Sequence, residues 1–331
     1  MNRDASSRTG PDGDVLVLGP TEVAALLPGT DLLEAVAAAL RAYSSGSALA
    51  PPRVIAPAVQ GLLCAMPAYV PGTALAAKVI SVFPQNHSLG MPAHQGLIAL
   101  FDDTDGRLVC VMDAATVTAA RTAVVSALAV SVLASPSASV LTIIGSGVQA
   151  RAHLARLTAV HRFAEVRVVA RDRDRAQAVA DSYPGCVVWS SVEEALRGSD
   201  VVACCTAAPA PILERGWLEP GCHVLSVGSG PELDPATVNS GEVFVEWRGA
   251  VTNPPPVGAW ELQGKDPNDV VELGVILAAE RPTMEYSQLI RIFKSTGLAV
   301  EDAAAARVVF EAAMAVGSGQ LLSWREAEVG S

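Results

Sequence analysis

The chain has 331 residues, a length that favours two domains over one. Charged residues make up 17% of it, and 34 acidic against 23 basic residues give a net charge of −11. This acidic balance argues against a nucleic-acid or anionic-membrane binder, because phosphate contacts need clustered Lys and Arg. Residues are 50% apolar but only 5% aromatic, a composition typical of helices packed on a buried parallel sheet.

The first residues and the cysteines favour a cytoplasmic protein. Residues 1–14 (MNRDASSRTGPDGD) lack an apolar stretch and predict a disordered tail. The cysteines show no C-x-x-C spacing, which favours reduced thiols. The apolar run at 123–134 is shorter than the roughly 20 residues of a membrane span, so a buried core helix is expected there. The histidines lack metal-ligand spacing, and no metal is predicted.

The first third of the chain predicts a helix followed by a mostly antiparallel sheet. Residues 31–43 have helical apolar spacing, with Asp31 as the expected N-cap. The pattern then changes to short β-rich runs: RVIAPAV, ALAAKVISVF, GLIALFD and RLVCVM. The last two are separated by Asp103-Thr104-Asp105-Gly106, a hairpin turn signal. A long apolar helix is expected from the cap residue Asp113 to the Ser135-Pro136 pair.

Beyond this helix, strands and helices alternate. Strands are expected at 139–144, 165–170, 187–189, 201–204, 223–227 and 243–246, with helices between most of them. This alternation predicts parallel βαβ units and therefore an α/β fold with a Rossmann-type, doubly wound parallel sheet. The proline run at 254–256 cannot form a regular helix or a central strand. Residues 285–315 are expected to be helical apart from a break at 294–297.

A glycine-rich turn lies between the strand at 139–144 and the following helix. Its sequence, Gly145-Ser146-Gly147-Val148-Gln149-Ala150, is a G-x-G-x-x-A pattern. Gly145 permits a tight turn, and Gly147 lets the backbone approach a pyrophosphate beside the N–H groups of the helix N-terminus. The sequence therefore predicts a dinucleotide site that includes Gly145, Gly147, Val148 and Gln149. The alternative is a glycine turn without a ligand.

The end of the strand at 165–170 bears on the choice of cofactor. Ala170 and Arg171 stand where NAD-selective folds place an acidic side chain for the ribose hydroxyls. A small residue followed by Arg suits the 2′-phosphate of NADP, so NADP(H) is favoured and NAD(H) stays open. In the alternative, Arg171 is solvated and Asp172 caps the next helix or binds the ribose.

Segments along most of the chain resemble the ornithine cyclodeaminase/mu-crystallin family. They are Met66-Pro67-Ala68-Tyr69, AAKVISVFPQN, GLIALFDDTDG, MDAATVTAARTAVVSALA, IIGSGVQARAHL, CTAAPAPIL and FKSTGLAVED, in the family's order. The resemblance implies NAD(P)-dependent chemistry at the α-carbon of an amino acid, through an α-imino acid. It also implies a homodimer. Residues 15–122 and 298–331 would form a discontinuous α+β domain for substrate binding and dimerisation, and 123–297 the Rossmann domain.

The resemblance also implies the substrate residues. Arg53, Lys78 and Arg121 match the family's basic positions around the substrate carboxylate, and Met66 is expected to line the same site. Basic side chains in apolar segments need an anionic partner, which agrees with this role. Lys78, with apolar neighbours on both sides, is expected to be the catalytic residue that moves a proton. The alternatives are an ion pair between Arg121 and a nearby acid, and a structural pairing of Lys78.

Further family positions concern the cofactor. Thr206, Val227 and Ser295 match positions that line the nicotinamide and ribose, although Ser and Thr at strand ends are commonly only turn formers. In cyclodeaminases an Asp central to deamination follows the strand that corresponds to 223–227. Here Gly230 stands at that place in a shortened loop, and Ser229 is the nearest polar substitute and a further candidate cofactor contact. Glu232 and Asp234 are interpreted as a helix start.

These departures favour one function over two others. Cys64 stands where ornithine-binding members have an acid for the distal amine, so a cationic side chain loses its partner. We therefore expect an NAD(P)H-dependent reductase of a cyclic ketimine or α-imino acid, such as Δ1-pyrroline-2-carboxylate or Δ1-piperideine-2-carboxylate, or a related amino acid dehydrogenase. The alternatives are an ornithine or lysine cyclodeaminase that recycles NAD, and a non-enzymatic ligand-binding protein.

Overall fold

The computed structural model describes residues 13–27, 29–279 and 288–324, and the side chains of 29–31, 87 and 88 lie outside that description. The chain divides into two compact units. One comprises the described residues up to Arg121 together with those from Ala299 onward, and the other runs from Thr122 to Leu298. Of the tail predicted at 1–14, residues 1–12 lie outside the described residues. Asp14 already begins a strand, so the tail prediction extended too far.

Consecutive strands predominate in the N-terminal part of the chain, and strands alternate with helices after it. In chain order they are β1 (Asp14–Leu18), α1 (Pro20–Leu26), α2 (Gly29–Ser44), β2 (Val54–Ala58), β3 (Gly61–Val70), β4 (Ala74–Val82), β5 (His94–Phe101), β6 (Leu108–Asp113) and α3 (Ala114–Leu133). They continue with β7 (Val140–Ile144), α4 (Val148–Val160), β8 (Glu165–Val169), α5 (Arg173–Ala180), β9 (Cys186–Trp189), α6 (Val192–Leu196), β10 (Val201–Cys204) and β11 (His223–Ser226). The last are α7 (Pro235–Ser240), β12 (Glu242–Val245), α8 (Gly249–Thr252), β13 (Val270–Glu272), α9 (Leu273–Ala278), β14 (Arg291–Lys294), α10 (Ala299–Val316) and β15 (Gln320–Ser323).

The sheet of the first unit has the order β15-β1-β6-β5-β4-β3-β2. Its strands pair antiparallel except β1 and β6, which run parallel. Helix α10 packs across β3, β4 and β5 and against α2. Along β4, residues at alternate positions from Ala74 to Ile80 are buried, as expected when one face of a strand packs on a helix.

Two local signals in the first unit behave as predicted and one does not. The turn at 102–107 joins β5 to β6, with Thr104 N donating to Asp102 Oδ1 at 2.8 Å. Asp113 caps α3, since its Oδ2 accepts from Thr116 N at 2.6 Å. Asp31, however, is not an N-cap, because α2 already begins at Gly29. Helix boundaries are the least secure part of such predictions because the apolar period continues through the first turn.

The second unit contains a parallel sheet in the order β13-β12-β14-β11-β10-β7-β8-β9. Strands β10 and β11 are buried along their whole length, as expected for central parallel strands covered on both faces. The chain moves from β7 outward to β8 and β9, and then returns to place β10 on the other side of β7. The carboxyl ends of β7 and β10 therefore form the topological switch point, where such sheets bind ligands. The predicted doubly wound α/β fold is confirmed.

One strand of this sheet lies where helix was predicted. Within the described part of 285–315, Arg291–Lys294 forms β14, buried in the middle of the sheet between β11 and β12. The helix prediction was wrong there because a short apolar run has no period that separates strand from helix. The charged ends of β14 are paired: Arg291 Nε lies 3.2 Å from Glu242 Oε2, and Lys294 Nζ lies 3.0 Å from Glu261 Oε1.

Helix α3 is the one described helix that is long and apolar enough to cross a membrane by length and composition. Most of its apolar stretch is buried within the protein. A core helix of a globular protein has the same properties, which agrees with the buried helix predicted here.

Candidate active site

Two buried cations of the first unit share one carboxylate. Lys78 lies on the α10 face of β4, and its Nζ is 2.7 Å from Asp302 Oδ2 and 3.4 Å from Thr118 Oγ1. Arg121 of α3 donates from Nε to Asp302 Oδ1 at 3.0 Å and from Nη1 to Glu301 Oε2 at 2.7 Å. Asp302 thus bridges the two predicted substrate cations. The ion pair of Arg121 with an acid and the pairing of Lys78 with a carboxylate, both left open as alternatives, are present.

The two carboxylates come from the first turn of α10. Acidic side chains are favoured at that end of a helix, where the backbone N–H groups are unpaired. Glu301 and Asp302 are almost completely buried, which a carboxylate tolerates only with charged or hydrogen-bonding partners. Neither carboxylate was predicted from the sequence as a site residue. The available signal was a pair of adjacent acids at the start of a helix rich in Ala and Val.

Burial and charge together set the protonation of this cluster. Burial lowers the pKa of Lys78 to about 8; Asp302 opposes that change, while Arg121 and Arg53 add to it. Burial alone would raise the pKa of Asp302, but Arg121 and Lys78 outweigh it and hold that pKa below its usual value. Lys78 therefore changes protonation close to neutral pH, which is the property required of a group that moves a proton in catalysis.

The remaining predicted substrate residues lie around Lys78. Met66 pairs with Lys78 across the β3–β4 register and is buried. Arg53 is half-buried just before β2 and close enough to lower the pKa of Lys78. Cys64 lies on the buried face of β3, and burial raises the pKa of its thiol. The charges of Arg53 and Lys78 lower that pKa, and the charge of Asp302 raises it. The structure thus brings Arg53, Met66, Lys78 and Arg121 together in the first unit.

In the second unit, the glycine turn joins β7 to α4 at the switch point. Gly145 has φ +131°, and a Cβ there would lie 2.5 Å from the carbonyl oxygen of Cys205, so only glycine fits without rearrangement. Gly147 is the N-cap of α4 and makes no side-chain cap. A Cβ on Gly147 would meet no atom within 4 Å. The turn therefore leaves an open approach to the backbone at the helix N-terminus.

These residues fit a dinucleotide. The first N–H groups of α4 point out of the helix end, where phosphate oxygens bind. Val148 is 69% exposed, so the turn itself is accessible. Gln149 Oε1 is buried and has no hydrogen-bond partner among the described residues, which leaves an acceptor for a ligand or water at this turn. The predicted residues Gly145, Gly147, Val148 and Gln149 thus share one open turn.

A buried histidine is hydrogen-bonded to the first turn of α4. His153 Nδ1 lies 2.8 Å from the carbonyl oxygen of Gln149, and its Nε2 lies 2.8 Å from Ser126 Oγ. Burial lowers the pKa of His153 to about 4, so the ring is neutral at physiological pH. Because a carbonyl can only accept, Nδ1 donates to Gln149 and Nε2 accepts from Ser126. Sequence analysis did not identify this arrangement.

The end of β8 shows which role Asp172 takes. Its Oδ1 accepts a hydrogen bond from Arg175 N at 3.0 Å, which makes it the N-cap of α5. Arg171, one residue earlier, is exposed. The side chain that could have bound the ribose is therefore engaged as a helix cap, as one of the alternatives had it.

The remaining predicted cofactor residues lie on turns after β10, β11 and β14. Thr206 donates from both N and Oγ1 to Glu232 Oε1, each at 2.8 Å. Val227 N donates to the carbonyl oxygen of Cys204 at 3.1 Å, and Ser229 is exposed. The buried Ser295 hydroxyl donates to Glu246. Thr206 and Ser295 thus have the turn-forming role that was their alternative, and their contact with a cofactor stays a prediction.

Glu232 and Asp234 differ in role although both were assigned to a helix start. Asp234 caps α7 through Thr237 N at 3.0 Å, as predicted. Glu232 is instead fully buried, and its carboxylate accepts bonds from the turns after β10 and β11. The helix-start interpretation was wrong for Glu232 because the cap at Asp234 lies only two residues further on. Nearby, a Cβ on Gly230 would lie 2.1 Å from the carbonyl oxygen of Ala208, so this backbone accepts no side chain there.

No metal centre accompanies these features in the part of the chain that the structure describes. There, no group of three or more His, Cys, Asp and Glu side chains is arranged to hold a metal ion.

A parallel sheet with an open glycine turn at its switch point defines a dinucleotide-binding α/β protein. The buried Lys–Asp–Arg cluster of the first unit has the groups that acid–base chemistry requires. The chain belongs to the ornithine cyclodeaminase/mu-crystallin family. The sequence model of that family matches residues 14–317.

Three similar proteins illustrate the range of the family. Ketimine reductase mu-crystallin of Rattus norvegicus is 37% identical over 287 residues, which cover 84% of this chain and 90% of the rat protein. The solved structure of Δ1-pyrroline-2-carboxylate reductase from Thermococcus litoralis with NADH and L-proline has a TM-score of 0.86 and 29% identity, covering 92% of this chain and 99% of that one. An archaeal alanine dehydrogenase dimer with bound NAD has a TM-score of 0.84 and 30% identity, covering 94% and 100%.

Proposed function

We propose that this protein is an NAD(P)H-dependent reductase of a cyclic ketimine or α-imino carboxylate, with Δ1-pyrroline-2-carboxylate and Δ1-piperideine-2-carboxylate as the model substrates. The observation that carries this proposal is the buried Lys78, whose pKa of about 8 suits proton transfer near neutral pH. The rat relative is a ketimine reductase, and the Thermococcus relative acts on a cyclic imino acid. A ketimine and Δ1-pyrroline-2-carboxylate both contain a C=N bond.

The charges of the first unit suit such a substrate. Arg53, Lys78 and Arg121 bring three cations close together, and Glu301 and Asp302 neutralise two of them. Cationic side chains in an apolar setting suit a monocarboxylate whose imine nitrogen is neutral. Arg121 and Arg53 would bind the carboxylate, since guanidinium groups form paired hydrogen bonds with carboxylate oxygens.

Lys78 would supply the proton of the reaction. When bound, NAD(P)H provides a hydride to the α-carbon of the C=N bond. The Nζ–H bond of Lys78 breaks as an N–H bond forms on the substrate nitrogen, and Lys78 regains a proton from solvent. Asp302 holds Nζ at 2.7 Å, which limits the rotation of a long side chain before the transfer. In the reverse direction, neutral Lys78 would accept the proton from the amine.

For the cofactor, we propose a preference for NADP(H). Arg171 is exposed beside the small residue Ala170, and Asp172 is engaged as the cap of α5. An exposed guanidinium beside a carboxylate that caps a helix suits the 2′-phosphate. The solved relatives named above bind NADH and NAD, so NAD(H) is the competing outcome.

The cyclodeaminase alternative has less support. The backbone at Gly230 accepts no side chain, because a Cβ would collide with the carbonyl oxygen of Ala208. The Asp that the family's cyclodeaminases use after this strand therefore has no place in this loop. A purely ligand-binding role is disfavoured too, since a buried lysine is costly and is retained here with a carboxylate partner.

We also propose a homodimer in the cytoplasm. The face of the first sheet away from α10 carries partly exposed apolar side chains, including Leu63 at 48% and Leu97 at 40%, and a second copy of the chain would cover them. The cysteines all carry free thiols, which suits a reducing compartment. Light scattering of the purified protein distinguishes a dimer from a monomer.

Initial rates test the proposed reaction. Purified protein should oxidise NADPH or NADH when either cyclic ketimine is added near pH 7, and it should release no ammonia from ornithine or lysine. Absence of cofactor oxidation with both ketimines would reject the proposal. Ammonia release from ornithine without a net change in cofactor absorbance would establish the cyclodeaminase instead.

A further inference from the structure

The turns after β10 and β11 are tied together by one buried carboxylate. Glu232 Oε1 accepts from Thr206 N and Thr206 Oγ1, each at 2.8 Å. Its Oε2 accepts from Gly228 N and Ser226 Oγ, also each at 2.8 Å. Four donors therefore fill both oxygens of one fully buried side chain.

A buried lysine of the same cluster binds the carbonyl oxygen of Gly228. Lys294 at the end of β14 donates from Nζ to the carbonyl oxygen of Gly228 at 2.9 Å, and it also contacts Ser226 Oγ and Glu261 Oε1, each at 3.0 Å. The turn after β11 thus has its amide nitrogen and its carbonyl oxygen bound to buried charges. Burying these charges is costly, and the bonds that they form with the two turns offset that cost.

The position of these turns suggests what depends on them. In a doubly wound sheet, the acidic or basic residue that selects the adenosine ribose lies at the end of the second strand, which is β8 here. The other half of the sheet, with β10 and β11, therefore faces the nicotinamide half of the dinucleotide. Among the described residues, the Glu232 carboxylate accepts from Thr206, Ser226 and Gly228 and from no residue of the glycine turn.

We propose that Glu232 is a positioning residue for the nicotinamide half of the cofactor: it sets Thr206 and Gly228 in place before the cofactor binds. This inference rests on the proposed dinucleotide binding. The effect would be selective, because Arg171 and the glycine turn, which would hold the adenosine and pyrophosphate, are not among the residues that the Glu232 carboxylate binds.

Glu232→Gln is the decisive variant. Gln keeps the size of the side chain but replaces one acceptor oxygen with an NH2 group, which would face two N–H or O–H donors. Affinity is measured by titration with the dinucleotide that the wild type binds more tightly, NADPH or NADH. It is measured again with the fragment lacking nicotinamide, which is ADP-ribose or its 2′-phosphate. Glu242→Gln is the matched control: Glu242 pairs with Arg291 at the opposite, amino edge of the same sheet.

We expect Glu232→Gln to weaken binding of the full cofactor by about tenfold or more and to leave binding of the fragment within about twofold. Ser226→Ala, which removes one of the four donors, should give a smaller loss of the same kind and decides the matter if Glu232→Gln does not fold. Glu242→Gln should bind both ligands as the wild type does. Equal losses for cofactor and fragment, or no loss, would overturn the inference and leave the proposed function intact. A wild type that binds neither ligand would overturn both.

Discussion

Lys78 Nζ and Asp302 Oδ2 lie 2.7 Å apart, and both side chains are only 2% exposed. The strand that carries Lys78 and the helix that carries Asp302 come from opposite ends of the chain. Asp302 also receives Arg121 Nε. A single carboxylate therefore neutralises part of the charge that a substrate carboxylate would meet, and it holds the lysine that would transfer the proton. Several consequences can be measured.

Asp302→Asn should move the pH profile of ketimine reduction to lower pH. Reduction requires protonated Lys78, so kcat/KM is full below the pKa of Lys78 and falls as the pH rises through about 8. Asp302 raises that pKa, and removing its charge lets burial lower the pKa further. The descending limb of the profile should therefore appear at lower pH than in the wild type.

Glu301→Gln is the control for this shift. Glu301 pairs with Arg121, whereas the charges that shift the pKa of Lys78 come from Asp302, Arg121 and Arg53. This variant should raise the KM for the ketimine and keep the descending limb near its original pH. Superimposable pH profiles for Asp302→Asn and the wild type would show that Asp302 does not control Lys78.

Lys78→Met should remove proton transfer and leave cofactor binding intact. General acid catalysis contributes about 10²–10⁴-fold, so kcat for ketimine reduction should fall by a factor in that range. The dissociation constant of the cofactor should stay unchanged, because Lys78 lies in the first unit and the glycine turn in the second. Lys265→Met, which changes a half-buried lysine of the second unit, serves as the control. Undiminished kcat in Lys78→Met would contradict the mechanism.

Two alanine substitutions in the glycine turn should differ in effect: one should lower the stability of the protein and the other its affinity for the cofactor. Gly145→Ala places a Cβ 2.5 Å from a carbonyl oxygen at a positive φ, and should lower the free energy of unfolding by about 1–3 kcal/mol. Gly147→Ala meets no atom within 4 Å, so its stability should stay within about 0.5 kcal/mol of the wild type. Its cofactor affinity should nevertheless fall, because the methyl group occupies the approach to the backbone.

Urea unfolding and cofactor titration separate these two effects. If Gly147→Ala bound NADPH and NADH as tightly as the wild type, the open side of Gly147 would not be where the pyrophosphate approaches. That result would also favour the alternative, in which the glycine turn binds no ligand.

Arg171→Ala tests the proposed cofactor preference. Loss of a charge-assisted hydrogen bond costs about 1.5–3 kcal/mol, so the dissociation constant of NADPH should rise by about tenfold or more, while that of NADH should change little. Arg162→Ala, an exposed arginine just before β8 at the other edge of the sheet, should change neither. An equal effect on both dinucleotides would show that Arg171 does not bind the 2′-phosphate.

The fold could be predicted where the signal is local. The alternation of strands and helices and the glycine turn each occupy a few adjacent residues, and the parallel sheet follows from them. The position of β14 could not be predicted, because a four-residue strand has no period of its own. Its place in the sheet is decided by pairing with β11 and β12, which are distant in sequence.

The site residues, too, could be predicted only where the signal is local in sequence. Lys78 and Arg121 could be singled out because a charge inside an apolar segment is costly and needs a partner. The partner could not be named, since Arg121 and Asp302 are 181 positions apart. Glu232 was misassigned because a helix cap follows it closely, and its contact with Thr206 spans 26 positions. In each case the residue type indicates that a buried charge needs a partner, and only the tertiary fold shows which residue is that partner.

The most direct measurement is the transfer of deuterium from NADPH or NADH labelled on the reactive face of the nicotinamide. With Δ1-piperideine-2-carboxylate or Δ1-pyrroline-2-carboxylate as substrate, mass spectrometry of the cyclic amino acid should show one deuterium at its α-carbon, with one cofactor oxidised per product. The Lys78→Met variant should form this product far more slowly. Unlabelled product, or ammonia released with no net oxidation of the cofactor, would contradict the assignment as an imine reductase.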